Sequence, residues 1–307
     1  MENIIEAKRL TKRYPNCTAL QQMSLIIKRG EIYGLIGANG AGKTTFLKLI
    51  AGQIFPTEGE LVLFGAYQQK EQEKERKRMG SLIETSGFFS QLTIEQNMEY
   101  YRLQKGIPGK QIVTDILKTV GLWDVRKKRG NTLSLGMKQR LGLAIALIGE
   151  PELLLLDEPV NGLDPAGMIE IRNLLIKLNR EKNITIIISS HLLSELEHLA
   201  TTYGFLDKGI LLEQISAKAL REKFGHYLEI NVTDPERYTM LLEKQMKHTR
   251  YRVLEEGTIR IYEFQQDIEK YSALAGENGI GIRAMSMKHD SLEEYYMNLK
   301  KEGCSNA

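Results

Sequence analysis

The chain opens on alternation. Residues 4–10 set apolar side chains between polar ones, and residues 24–28 do so again ahead of the Arg29-Gly30 turn, so both segments predict strands. Glu31-Ile32-Tyr33-Gly34-Leu35-Ile36 is almost wholly apolar, the pattern of a short strand buried on both faces. Helical spacing then runs from Thr45 to Ala51. Pro56-Thr57-Glu58-Gly59-Glu60 predicts a turn, and Leu61-Val62-Leu63-Phe64-Gly65 another strand. Residues 66–79 are polar and highly charged, which predicts an exposed helix.

From about Thr93 to Leu147 the period is helical. Thr93 and Gln96 have the spacing of a capping box, and Ile94, Met98, Tyr101 and Leu103 follow. Pro108 and Gly109 break this run. Ile112, Ile116, Leu117 and Val120 then mark an amphipathic helix that stops at Gly121. The α/β pattern resumes with Leu153-Leu154-Leu155-Leu156 and Ile184-Thr185-Ile186-Ile187-Ile188, apolar runs of buried parallel strands joined by a crossover helix over residues 169–178. After Ala219 the character changes. Strands are expected at 227–232, 251–254, 258–264 and 280–287, with helices at 236–247 and 267–277. The order β-α-β-β-α-β matches the split ferredoxin-like motif. A last helix, 291–301, carries Leu292, Tyr295, Tyr296 and Leu299 at helical spacing, a stripe expected to pack onto its own domain.

Composition narrows the classes. With 307 residues, 42% hydrophobic and 26% charged, the chain can bury a sizeable core in one large domain plus a small one, or in two domains. A formal net charge of +3 is too small to argue for an anionic membrane surface or for a direct nucleic-acid partner. The mixed run Lys74-Glu75-Arg76-Lys77-Arg78 reads as a solvated helix face. Cys17 and Cys304 lie near opposite ends and make neither a metal spacing nor a disulfide framework, which suits a reducing cytosol. The first residues lack the basic-then-apolar order of a signal peptide, and no apolar run approaches a membrane span. Any membrane role is therefore expected to need a partner subunit.

Chemistry enters at Gly37-Ala38-Asn39-Gly40-Ala41-Gly42-Lys43-Thr44, which matches G-x-x-x-x-G-K-[ST] between a predicted strand and a predicted helix. Glycines there let backbone N–H groups turn inward around an anion, and the helix start adds partial positive charge. Lys43 is expected to reach the β- and γ-phosphates, and the Thr44 hydroxyl to ligate Mg²⁺. Leu153-Leu154-Leu155-Leu156-Asp157-Glu158-Pro159 delivers two acids to the end of a buried strand. Taken alone this is equally an acidic turn. After a phosphate loop, Asp157 suits the metal or its water shell, and Glu158 suits polarising a water for in-line attack.

Leu133-Ser134-Leu135-Gly136-Met137-Lys138-Gln139-Arg140 precedes a helix rich in Leu, Ala and Ile, and a Ser and a Gly at a helix start make an anion-binding nest. The segment resembles the signature motif of ABC ATPases, usually Leu-Ser-Gly-Gly-Gln, with Leu135 replacing the first glycine and Met137 the glutamine. The resemblance covers about residues 4–215. It implies an α/β P-loop NTPase fold with an antiparallel β subdomain and a helical subdomain (about 88–147) in a nucleotide-binding domain of residues 1–218. Residues 219–307 are then a small C-terminal α+β accessory domain. By the same resemblance ATP is bound by Gly37, Ala38, Asn39, Gly40, Ala41, Gly42, Lys43, Thr44 and Thr45, and by Ser134 and Gly136. Tyr14, which alone would read as an ordinary core or surface aromatic, is implied to stack on adenine. Asn161-Gly162-Leu163-Asp164-Pro165 resembles the D-loop at a dimer seam, with Asp164 in a coupling role. His191, unremarkable by itself, sits where the switch histidine contacts the γ-phosphate.

One departure stands out. The family usually places a glutamine where the alignment of Met79-Gly80-Ser81-Leu82-Ile83-Glu84, ahead of Leu92-Thr93-Ile94-Glu95-Gln96-Asn97, gives Glu84. A carboxylate still ligates Mg²⁺, but it adds negative charge near the phosphates, and an ionised Glu only accepts hydrogen bonds. Glu84 together with Ser134-Leu135-Gly136-Met137 resembles the bacitracin-resistance and lantibiotic-immunity subgroup, which exports membrane-active peptide antibiotics.

The resemblance implies an ATPase subunit that binds ATP and Mg²⁺ and is held on the cytoplasmic face of the membrane by a separate polytopic permease. Two copies, or one copy and a similar ATPase, would pair head to tail. Each ATP would lie between Lys43, Thr44 and Asp157 of one copy and Ser134 and Gly136 of the other. Glu158 acts as base, His191 positions, and Glu84 with the segment near Phe88 to Asn97 passes the motion on. The alternative is a non-transport ABC ATPase that remodels a soluble complex. A non-catalytic nucleotide sensor conflicts with an intact Glu158 and His191, and a small-molecule kinase has no role for residues 134–140.

Overall fold

The alternating start of the chain forms β1 (Asn3–Tyr14) and β2 (Cys17–Lys28), paired antiparallel with Glu6 opposite Ile26 and Ala7 opposite Leu25. β3 (Ile32–Ile36) is buried at all five positions and leads into α1 (Lys43–Ala51). β4 (Glu58–Leu63) returns to the other side of β1, giving a three-stranded sheet of order β2-β1-β4. The structure is a computed structural model that describes residues 2–84, 87–224, 226–262, 264, 267–289 and 291–305. It divides into two units, Met1–Ala217 with Glu302–Ala307, and Lys218–Lys301.

Within the first unit the chain continues through α2 (Gln69–Glu75), β5 (Met79–Leu82), α3 (Ile94–Gln104), α4 (Gln111–Thr119), α5 (Leu135–Leu147), β6 (Leu153–Asp157), α6 (Pro165–Lys182), β7 (Thr185–Ser190), α7 (Leu193–Glu197), β8 (Thr202–Asp207) and β9 (Ile210–Ser216). A six-stranded sheet takes the order β5-β6-β7-β3-β8-β9. All its pairs are parallel except β8 with β9. In such a sheet the loops past the carboxyl ends of the strands share one edge, where ligands bind. Here that edge receives the loop 37–42 from β3, Asp157 from β6, His191 after β7 and Glu84 after β5. The core beneath it gathers Leu10, Leu20, Tyr33, Leu35, Phe46, Leu47, Leu155 and Ile187 from both sheets and α1. α3 begins with the expected capping box, the Thr93 and Gln96 side chains each bonding the other's backbone N–H. Among the described residues no helix is long and apolar enough to cross a membrane.

Several boundaries differ from the sequence expectation. The exposed helix expected over 66–79 is shorter, because Arg76–Arg78 form a 3-10 turn and Met79 to Leu82 pair with Leu153 to Leu156 as the edge strand β5. Gln72 in α2 is also buried, its amide donating to the Leu61 carbonyl at 2.5 Å. The turn expected at 56–60 is half strand, since Glu58 and Glu60 pair with Thr11 and Lys8 of β1. β2 starts at Cys17 rather than Ser24, and α1 at Lys43 rather than Thr45. β8 and β9 were not anticipated, although β8 is buried over most of its length. Thr202, Gly204 and Asp207 interrupt the apolar residues of β8, and Glu213 and Gln214 those of β9, so apolar periodicity alone does not mark them.

The second unit contains β10 (His226–Val232), α9 (Pro235–Gln245), β11 (Tyr251–Val253), β12 (Thr258–Tyr262), α10 (Glu269–Glu277) and β13 (Ile282–His289). α8 (Ala217–Lys223) enters it and α11 (Leu292–Ser305) leaves it. The sheet order is β11-β12-β10-β13, every pair antiparallel, which is the β-α-β-β-α-β arrangement expected from the sequence. Residue 263 of the expected strand 258–264 lies outside the described residues. Leu228, Ile230, Ile259, Ile261, Tyr238 and Tyr271 close its core, with the Tyr238 hydroxyl donating to the Tyr271 carbonyl at 2.9 Å.

Candidate active site

Residues 37–44 leave β3 and turn tightly enough that glycine is required at two places. Gly42 has φ +108°, and a Cβ there would lie 2.5 Å from the Ala19 carbonyl oxygen. A Cβ on Gly37 would lie 2.6 Å from the Leu206 carbonyl oxygen. Gly42 is the N-cap of α1 and supplies no side chain to the first-turn N–H groups of Lys43, Thr44 and Thr45, and no acidic residue occupies that turn. Those donors have no partner within the helix. An uncapped helix start with its partial positive charge is the donor set a phosphate requires.

Lys43 is only 5% exposed. Its Nζ donates to the carbonyls of Gly37 (2.7 Å) and Ala38 (3.3 Å) and lies 3.3 Å from Glu158 Oε1. Thr44 Oγ1 donates to Asp157 Oδ2 at 2.8 Å. The register places Asp157 beside Ser189 of β7, whose hydroxyl donates to Asp157 Oδ1 at 2.6 Å. The Glu158 N–H donates to the same hydroxyl at 3.0 Å. Glu158 itself lies in the left-handed region with φ +47°, a conformation that costs a non-glycine residue on the order of 1 kcal/mol and persists only where its surroundings impose it. Its Oε2 meets His191 Nδ1 at 3.0 Å and accepts from Asn161 Nδ2 at 3.1 Å. Since a carboxylate only accepts, the imidazole contact calls for a proton on Nδ1.

Thus Lys43, Thr44, Asp157, Glu158 and His191 come together, as their positions in the sequence suggested. The other expected residues stand elsewhere. Tyr14 ends β1, 39% exposed as a residue, with the Lys12 ammonium 5.2 Å from its ring centroid, so it is a surface aromatic open to stacking. Ser134 caps α5, accepting from the Met137 N–H at 3.3 Å, and is exposed. Gly136 neighbours Leu163, and Gly162 neighbours Leu135, so the 134–136 turn packs beside the 161–164 loop of its own chain. Asp164 caps α6, its carboxylate accepting from the Gly167 N–H at 3.1 Å. Glu84 is held by Lys48, 2.6 Å away.

Sequence reasoning gave no role to Ser189, Asn161, Lys48 or Glu195. Ser190 Oγ lies 3.0 Å from Glu195 Oε2, and burial raises the Glu195 carboxyl above its ordinary value. These residues stood inside or beside quoted motifs, but spacing does not say which side chain a neighbouring strand or helix will meet. The donor set also bears on the metal. Among the described residues no group of three or more His, Cys, Asp or Glu side chains is arranged to hold a metal ion by itself. One hydroxyl and one carboxylate at 2.8 Å fit Mg²⁺, which takes few protein ligands and completes its shell with water and phosphate oxygens.

The chain matches the family described as ABC transporter over residues 20–161. It is 41% identical to the bacitracin transport ATP-binding protein BcrA of Bacillus licheniformis over 299 residues, 97% of this chain and 98% of that protein. It is 39% identical to the lantibiotic transport ATP-binding protein SrtF of Streptococcus pyogenes over 212 residues, 69% of this chain and 90% of that one. A dimeric post-hydrolysis state of the ATP-binding cassette MJ0796 bound to ADP and Pi has a TM-score of 0.63 at 27% identity, covering 69% of this chain and 98% of that chain.

Proposed function

The chain belongs to the ATP-hydrolysing, ATP-binding subunits of ABC transporters, and from that premise we propose that it powers export of a peptide antibiotic, of the bacitracin or lantibiotic kind, through a separate membrane subunit. One arrangement carries the enzymatic part. Lys43, Thr44, Asp157, Glu158 and His191 meet beside the uncapped start of α1. The identity with BcrA, which runs the length of both chains and so includes the second unit, supports the choice of cargo.

The N–H groups of residues 43–45 and Lys43 cradle the β- and γ-phosphates of ATP, and the exposed Tyr14 ring stacks on the base. Mg²⁺, when bound, neutralises charge on the phosphate oxygens. Thr44 and Asp157 are the residues that would hold it, with Glu84 as the third candidate. Ser189 fixes Asp157 and the Glu158 backbone together. Glu158 takes the proton of the attacking water, and His191, from its position at Oε2, orients that carboxylate. Ser134 and Gly136 lie beside the 161–164 loop, the segment that resembles the D-loop of a dimer seam, which supports their acting on the nucleotide of a second copy. In that pairing Asp164 stands at the seam, and the nucleotide holds the two copies together until it is cleaved. Residues 1–218 are the nucleotide-binding domain and residues 219–307 an accessory domain. The protein works on the cytoplasmic face of the membrane, held there by the permease.

Glu158→Gln removes the base and keeps the volume. Phosphate release should fall by about two to four decades while ATP still binds and the chain pairs in its presence. Undiminished hydrolysis would refute Glu158 as base. Co-expression with the membrane subunit should lower the potency of bacitracin or a lantibiotic on the host cells, and unchanged potency across both classes overturns the assigned cargo.

A further inference from the structure

Glu84 is the acid that stands where the resembling family carries a neutral amide, and the structure supplies it with a partner. Lys48 Nζ lies 2.6 Å from Glu84 Oε1. Lys48 is four residues beyond Thr44 on α1, so the two side chains leave one face of that helix a turn apart. β5 and β6 pair in parallel as far as Leu82 and Leu156, and Glu84 and Glu158 each lie two residues past that last pair, beyond the carboxyl ends of their strands. Glu84 therefore reaches the same sheet edge as Asp157 and Glu158 and would add a third negative charge there. Lys48 meets that charge. Glu84 also lies in the left-handed region, φ +62°, so its backbone is set by its surroundings.

We infer that Lys48 is a positioning residue for Glu84, an ionic latch that holds the carboxylate on α1 and sets how readily it turns to the metal held by Thr44 and Asp157. The inference rests on the nucleotide and Mg²⁺ reading given above. Its physical basis is competition for one acceptor. An ionised Glu has no donor of its own, so it is stabilised either by the ammonium or by a divalent cation, and whatever favours one disfavours the other. A glutamine at this position makes no ion pair with Lys48, so the pair belongs to chains with an acid here. The pair also joins the phosphate-loop helix to the start of the segment that leads to α3.

The test uses ADP as probe, so that no turnover intervenes, and the full-length chain. ADP binding is titrated with Mg²⁺, and bound Mn²⁺ is counted in parallel by loss of the free-ion paramagnetic signal. Lys48→Met should lower the Mg²⁺ and Mn²⁺ concentrations for half-saturation by up to about fivefold, the range of a partly exposed ion pair. In a Glu84→Gln background the same Lys48→Met change should not lower them. The difference between backgrounds is the readout, since removing a cation near phosphate weakens ADP binding in both. An equal shift in both backgrounds, or no shift with Glu84 present, overturns the latch. Wild-type protein that binds no ADP overturns the nucleotide reading and the latch with it. Lys48→Gln serves as a second variant, and Lys48→Arg should restore wild-type behaviour.

Discussion

The carboxyl edge of the six-stranded sheet and the four-stranded sheet of the second unit both gather ions, and they dispose of them differently. In the four-stranded sheet Arg260 reaches Glu229 at 3.1 Å and Glu294 at 2.5 Å, Lys288 reaches Glu229 at 2.5 Å, and the Arg260 guanidinium lies 4.6 Å from the Tyr227 ring centroid. Partial burial pushes the Glu229 carboxyl up, but hydrogen bonds from Lys288 and Arg260 bring it below its ordinary value. That cluster satisfies itself with side chains. At the carboxyl edge, Lys43 rests on two backbone carbonyls and Glu158, the first N–H groups of α1 have no side-chain cap, and Glu158 and Glu84 both hold left-handed backbone. A cluster closed on itself braces a fold. Uncapped donors and imposed backbone strain are features of a site arranged for something else to bind.

The largest break in that comparison is Lys43→Ala. It should weaken ATP binding by about a hundredfold, the loss expected for charge-assisted hydrogen bonds to phosphate, as read by calorimetric titration. Unaltered affinity would remove the loop from the site. Ser189→Ala comes next. Asp157 Oδ1 loses its donor and the Glu158 N–H an acceptor, so kcat should drop about tenfold with little change in the KM for ATP. A change confined to KM would make Ser189 a binding rather than a positioning residue. In the other region, Arg260→Met should loosen the second unit by about 1 kcal/mol, seen as faster hydrogen exchange in β10, β12 and β13. ADP affinity should not move, and a parallel loss of affinity would abolish the contrast drawn above.

The smallest effect is a pH dependence at the opposite end of the six-stranded sheet. Hydrogen bonding from Arg78, with Arg29 beside it, holds the Glu152 carboxyl down at about 2, against an ordinary 4.5. A lowered carboxyl pKa stabilises the folded state fully above about 4.5, and that contribution disappears as pH falls through about 2. Wild-type protein should therefore exceed Glu152→Gln in unfolding temperature at neutral pH, with the gap closing between those limits. The gap should be modest because the pair is partly solvated.

Much of this was legible in the chain. The loop 37–44, the acids after residues 153–156 and the histidine after β7 could be read because each follows a short apolar run, and a parallel strand buried on both faces leaves little else for such a run to be. The four strands of the second unit were equally readable, since each alternates or is bounded by a turn. The edge strand β5 escaped because Met79 to Leu82 is short and follows a charged segment, and β8 because Thr202, Gly204 and Asp207 break up its apolar residues. Ser189 and Lys48 escaped for another reason: their partners are 32 and 36 residues away, across a strand pair and between a helix and a loop.

The sequence by itself determined the chemical inventory, the order of strands and helices around it, and the points where backbone must turn on glycine, because those follow from local sterics and apolar period. Only the tertiary structure decided that Glu84 meets Lys48, that Asp157 shares Ser189 with the Glu158 backbone, and that the 134–136 turn lies against the 161–164 loop. Those contacts depend on strand order and register, which close over long stretches of chain and which no local pattern encodes.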